Sequence, residues 1–216
     1  EQQGFNWEVV KKMYGSDGSA EQNAKLEADW KKGWRPDVDK YQAELKAENI
    51  KTSRGEFDTY GPEWLTTDPD TGESLFDEET GGYVVIHKHH NVTDNYRNEI
   101  NMAKAFMKAG YKVKLLSESA PERVATPDAE IVGEGIFDFK NISATVPKKI
   151  QTNIQSEVLA GGTDNENPCF TLQNNPNMTL ELINNGILDA VSTATHGETS
   201  FPDKVGLVYP DGQVKI

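Results

Sequence analysis

Residues 127–140 read PDAEIVGEGIFDFK. The pattern predicts two short strands about a glycine-bearing turn, with Asp128 opening the first and Asp138 and Lys140 closing the second. Strand alternation puts Ile136, Asp138 and Lys140 on one face and Phe137 and Phe139 on the other. Two aromatics turned to a core would hold a carboxylate and an ammonium side by side on the opposite face. The turn length matters here. A two-residue turn at Gly133-Glu134 sets Asp128 opposite Phe139, on the wrong face. A three-residue loop or a bulge sets it opposite Asp138.

Upstream, YVVIHKHH (83–90) is a β-branched run that predicts a strand. Alternation groups His87 and His89 with Tyr83 and Val85 and turns His90 the other way, all three histidines being expected at an exposed strand end. A helix follows over 95–109, capped by Thr93 or Asp94 and stopped by Gly110, with Ile100, Ala103, Phe106 and Met107 as its apolar stripe and Glu99 at the stripe's edge. A strand over 111–118 and the loop SAPERVATP lead into the hairpin.

Downstream, Pro147 opens a helix expected to close at Gly161, and 169–173 make a strand. A helix over 178–191 is expected to loosen at 184–186. A final hairpin turns at Pro210-Asp211-Gly212.

The first 50 residues have helical composition over 5–14, 21–34 and 37–49, with Trp7, Trp30 and Trp34 available for packing. Residues 51–82 are turn-rich and acidic and predict a solvated linker; DPDTGE lacks the spacing of a calcium loop. The expected division is therefore a helical appendage with an acidic linker over 1–80 and an α/β domain over 81–216. The fold class is α/β (α+β): a mixed central sheet with an α-β-β-β-α-β core after a mainly helical N-terminal segment.

Net charge is −13, and only residues 81–160, with 10 basic and 9 acidic side chains, are close to neutral. Such a balance excludes loose binding to polyanions and leaves the central block as the permissive surface. No apolar run approaches the roughly 18 residues of a membrane span, so no membrane partner is expected. A start at Glu1 without a basic-then-apolar leader is expected of a trimmed or processed chain. Cys169 is the single cysteine, which excludes an internal disulfide.

Pro127-Asp128, nine residues, then Asp138-Phe139-Lys140, set within this order of elements, resembles the core of the PD-(D/E)xK, restriction-endonuclease-like nucleases. GGYVVIH, then Glu99-x3-Ala103-x6-Gly110-Tyr111-x-Val113-x-Leu115-Leu116, then PDA-x-I-x-G, is similar to nuclease-like domains of polymorphic and contact-dependent inhibition toxins and of phage Mu F-like minor head proteins. The resemblance implies a metal-dependent nuclease acting on DNA or tRNA. It implies Mg²⁺ held by Asp128, Asp138 and Glu99, and catalysis by these three with Lys140. Gln151 and Gln155 resemble a glutamine that some branches add. An immunity protein or a larger delivery or phage protein is the implied partner, and a phage particle, secreted effector or bacterial cytoplasm the implied setting.

Two other readings stay open. His87 or His89 (or His90) as acid and base with Lys140 would make a metal-independent RNase of the barnase, EndoU and colicin-like group. A non-catalytic phage head or interaction module would carry the same hairpin with nothing more than a surface ion pair.

Overall fold

A computed structural model of the chain describes residues 11, 20–34, 38–90, 96–117, 126–195 and 200–216. The chain divides into two compact units, Glu1–Glu48 and Asn49–Ile216. In the first, helix α1 (Ala20–Lys31) buries none of its residues, Trp30 is half-buried and Trp34 is exposed. Trp7 and the helix expected over 5–14, Lys11 apart, lie outside the described residues. Helix α2 (Val38–Asp58) carries the chain across the division.

The second unit is α+β. Its eight-stranded mixed sheet follows sequence order. Strand β1 (Trp64–Leu65) pairs antiparallel with β2 (Tyr83–His87), and helix α3 (Tyr96–Lys108) crosses to β3 (Lys112–Leu115), parallel to β2. Strands β3, β4 (Ala129–Ile131) and β5 (Gly135–Lys140) form an antiparallel meander. Helix α4 (Pro147–Asp164) leads to β6 (Asn167–Thr171), parallel to β5. Helix α5 (Leu180–Thr195) leads to β7 (Gly206–Val208), and β8 (Val214–Lys215) closes a hairpin on it. From α3 to β6 the order is α-β-β-β-α-β.

Alternation sorts the side chains. Val84, Ile86, Val113, Leu115, Ala129, Ile131, Phe137 and Phe139 are buried on one face beneath Ile100, Ala103, Phe106 and Met107 of α3. Phe106 stacks on Phe139 at a centroid distance of 6.2 Å. On the other face, Phe170 packs with Ile150, Ile154, Val158 and Ile183 of α4 and α5. Tyr83 and Val85 meet Phe57 and Phe76 at the far side of that face. Between these two clusters the strands carry Lys112, Lys114 and Glu130, all half-buried.

Three expectations need correction. Residues 49–80 are not a linker: Phe57, Leu75 and Phe76 are core residues, β1 extends the sheet, and the compact unit begins at Asn49 instead of 81. The low hydrophobicity of TTDPDTGES hides this, because its one fully buried side chain is an acid, Asp68. Gly161 does not end α4. A Cβ there would meet Glu166 O at 2.7 Å, and one on Gly162 would meet Ser200 O at 2.1 Å, so both glycines permit close approach inside the helix. The helix stops instead at Asn165, in the left-handed region with φ 59°. Gly186 likewise does not loosen α5, which is continuous; its missing Cβ lets α5 close on Ile154 of α4.

Candidate active site

The hairpin of residues 127–140 takes the odd register. Ala129 pairs with Phe137, Glu130 with Ile136 and Ile131 with Gly135, leaving Val132, Gly133 and Glu134 as a three-residue loop. Gly133 and Gly135 adopt φ of 85° and 122°, which suits glycine and little else. Continuing the register by one pair sets Asp128 opposite Asp138. Phe137 and Phe139 are buried, while Ile136, Asp138 and Lys140 are half-buried on the opposite face.

At the head of β4 the Asp128 side chain replaces a ladder partner: Phe139 N–H donates to its Oδ2 at 2.7 Å. Burial, a hydrogen bond with Asp138 and the charges of Asp138 and Glu99 together push the Asp128 carboxyl up to about 9, against the opposing pull of the Phe139 N–H. Lys140 Nζ lies 2.5 Å from Asp138 Oδ2 and 3.3 Å from Glu157 Oε2 of α4. Burial alone would lower the Lys140 ammonium, but Asp138, Glu157 and Asp128 outweigh it and hold it above its ordinary range. Burial and the charge of Asp138 also raise Glu166. The site is thus a group of carboxylates around one lysine.

Glu99 stands in the first turn of α3, and its Oε2 lies 2.8 Å from His90 Nε2. The Thr93 or Asp94 cap and the loop over 118–125 lie outside the described residues. His90 is not an exposed strand-end residue as expected. β2 ends at His87, a turn closed by His90 N–H to His87 O swings the ring inward, and its side chain is wholly covered. Strand alternation cannot foresee this, since residue 90 is no longer on a strand. His87 and His89 remain outside, packed edge to face on each other, with His87 also against Trp64. His87 ends β2 and Lys140 ends β5, three strand spacings or roughly 14 Å apart. The structure therefore does not bring the histidine pair together with Lys140.

Gln151 and Gln155 also lie elsewhere. Their amides donate to Asp189 and Thr193 of α5, at the interface of the two helices. Glu157, two residues beyond Gln155, is the α4 side chain that reaches the site. It is a little over half a turn further round, on the helix face that the glutamine pattern does not mark.

A second ionic centre braces α3. Asp68 is fully covered, accepts from Arg97 Nη1 at 3.0 Å and Lys104 Nζ at 3.3 Å, and closes its own turn through the Asp70 N–H at 3.0 Å. Arg97 precedes Glu99 by two residues, so this centre fixes the turn of helix that presents Glu99.

Among the described residues no three His, Cys, Asp or Glu side chains are gathered as a preformed metal cage. Comparison with family models, with curated proteins and with solved structures finds no match.

Proposed function

We propose that this chain is a metal-dependent nuclease that hydrolyses phosphodiester bonds of DNA or tRNA, as a toxin-like or phage-associated effector. The observation that carries the reading is the three-residue loop of the β4–β5 hairpin. It aligns Asp128 with Asp138, two residues from Lys140, on the face of the strand opposite the buried Phe137 and Phe139.

The donor set suits Mg²⁺. Two carboxylates close enough to share a hydrogen bond, one of them raised to about 9, form a site that a divalent cation would relieve. Mg²⁺ uses one or two carboxylates and keeps several waters, so a full protein cage is not required. Asp128 and Asp138 would hold it, with Glu99 as the third acid. Bound there, the cation supplies charge neutralisation at the phosphoryl oxygens and a lowered pKa for a coordinated water.

The chain's own residues define the rest. Lys140 stays protonated, so it acts as a charged donor to the phosphate and not as a base. Asp138 and Glu157 fix the position of its ammonium. Lys112 and Lys114 on β3 lie on the same sheet face, each paired with a glutamate, Glu56 and Glu130, that a phosphate would have to displace. An immunity protein, or a larger delivery or phage protein, is the partner this reading implies.

The test is incubation of wild type and Lys140→Ala with plasmid and total tRNA, in Mg²⁺ or EDTA. Wild type should cleave in Mg²⁺ alone, with Lys140→Ala slower by about 100-fold or more, the usual loss for one transition-state donor. Equal behaviour of the two proteins rejects the reading.

A further inference from the structure

We propose that His90 is the positioning residue of this site: its buried imidazole fixes Glu99 and, through the backbone of Leu116, locks Glu99 to Asp128. The inference rests on the nuclease reading only for the metal that Glu99 is positioned to meet.

His90 Nδ1 lies 2.7 Å from Leu116 O, a carbonyl that can only accept, so Nδ1 carries a proton. The other nitrogen, Nε2, lies 2.8 Å from Glu99 Oε2, and that contact needs one proton between ring and carboxyl. Either placement of it leaves the pair neutral overall, which is how a fully covered imidazole can sit beside an acid without an uncompensated charge. One hydrogen bond to Oε2 leaves the carboxyl further lone pairs for a second contact.

The same peptide group closes the circuit. Leu116 N–H donates to the Asp128 carbonyl at 2.9 Å while Leu116 O accepts from His90. One imidazole therefore ties the end of β2, the end of β3, the start of β4 and the first turn of α3. These are the segments that bring Glu99 and Asp128 within each other's field, where the Glu99 charge acts on Asp128. A ligand carboxylate oriented by a buried imidazole is a supporting arrangement whose loss costs 10–100-fold in metal affinity.

The full chain is examined as wild type, His90→Asn, His90→Gln and Glu99→Gln. His90→Asn retains a donor at the Nδ1 position for Leu116 O but cannot reach Glu99. His90→Gln places its amide near the Nε2 position and restores a donor to Glu99. Calorimetric titration with Mg²⁺ should show a roughly 10–100-fold loss for His90→Asn and recovery of most of it in His90→Gln. Ring ¹⁵N spectra of metal-free wild type should show a protonated Nδ1, and Glu99→Gln should move the Nε2 signal while leaving Nδ1 in place. Equal Mg²⁺ affinity in wild type and both His90 variants overturns the proposal, as does an unprotonated Nδ1. Wild type that binds no Mg²⁺ and cleaves nothing rejects the nuclease reading instead, and the ring spectra then decide the His90–Glu99 clamp alone. The spectra also decide it if the His90 variants do not fold.

Discussion

Asp128 and Asp138 face each other across β4 and β5 but are not equivalent: Lys140 lies 2.5 Å from Asp138, whereas the Asp128 carboxylate receives the Phe139 N–H at 2.7 Å. Burial penalises an ionised carboxylate, and a like charge at close quarters adds to that penalty, so the more buried and less compensated acid of the two takes the proton. Here that is Asp128, raised to about 9. Without a cation, the Asp128 carboxyl therefore holds its proton more tightly than an ordinary aspartate.

This asymmetry makes stability depend on pH. A carboxyl held at about 9 in the folded chain and near 3.9 in the unfolded one binds an extra proton in the native state throughout that window. Its contribution is complete below about pH 4 and is lost as pH rises through 9. In EDTA, the melting temperature should therefore fall between pH 5.5 and pH 9. Asp128→Asn should flatten that slope, and Mg²⁺ should offset it in wild type by favouring the ionised pair. An unchanged slope in Asp128→Asn would refute the assignment.

The hairpin and the order of elements were legible because alternation and turn glycines act locally. Phe137 and Phe139 against Asp138 and Lys140 is a period-two pattern with one solution once a core exists. The loop length was not legible, since both registers satisfy the same alternation on β5 and differ only in which face Asp128 meets. The burial of His90 against Glu99 and the reach of Glu157 to Lys140 were not legible, for a shared reason. One acts from a turn after its strand, the other from a helix face that carries no apolar signal, so neither lies on a periodic stripe. Asp68 was hidden because its partners, Arg97 and Lys104, are 29 and 36 residues distant and buried acids look like loop acids in sequence.

Asp68 should matter more than its loop suggests. Asp68→Ala removes the buried acid that Arg97 and Lys104 share, leaving them Asp70 and Glu73, and opens the turn closed through the Asp70 N–H. Removing one partner of a buried pair costs about 3–5 kcal/mol, and two partly exposed cations that each keep a second acid place this case at about 1–3 kcal/mol. Arg97 and Lys104 hold the Asp68 carboxyl below its ordinary range despite burial, so its contribution is present above the unfolded pKa and lost as pH falls through the folded one. Chemical denaturation of Asp68→Ala at pH 7 measures the loss. A change below 1 kcal/mol would show that the centre is merely solvated charge.

Two glycines give opposite expectations. Gly55 lies inside α2 with no atom within 4 Å of a built Cβ, so Gly55→Ala should stabilise by about 0.4–1 kcal/mol through the unfolded chain. Gly82, at the approach to β2, would place its Cβ 2.0 Å from Met107 O and 2.9 Å from Tyr111 O, both backbone. Gly82→Ala must move the end of α3 and should destabilise by about 1–3 kcal/mol or more. Urea titrations of the two variants against wild type should move the midpoint in opposite directions.

The two kinds of polar side chain on α4 can be separated by what each substitution changes. Gln151 donates to Asp189 Oδ2 at 2.6 Å across the α4–α5 interface, so Gln151→Leu leaves a half-covered carboxylate without that donor. It should lower stability by about 1–3 kcal/mol while leaving Mg²⁺ affinity and cleavage per folded molecule unchanged. Glu157 Oε2 lies 3.3 Å from Lys140 Nζ, and Glu157→Gln keeps its shape, so stability should hardly move. Its charge, however, helps keep the ammonium in place and protonated. Glu157→Gln should slow cleavage by up to about tenfold, equivalent to roughly 1.4 kcal/mol in the barrier, with the effect in kcat and not in KM. Parallel melts and single-turnover assays resolve the pair. The reverse outcome, a slow Gln151→Leu and a wild-type Glu157→Gln, would place the catalytic face of α4 on the glutamine side and move Lys140's second partner out of the mechanism.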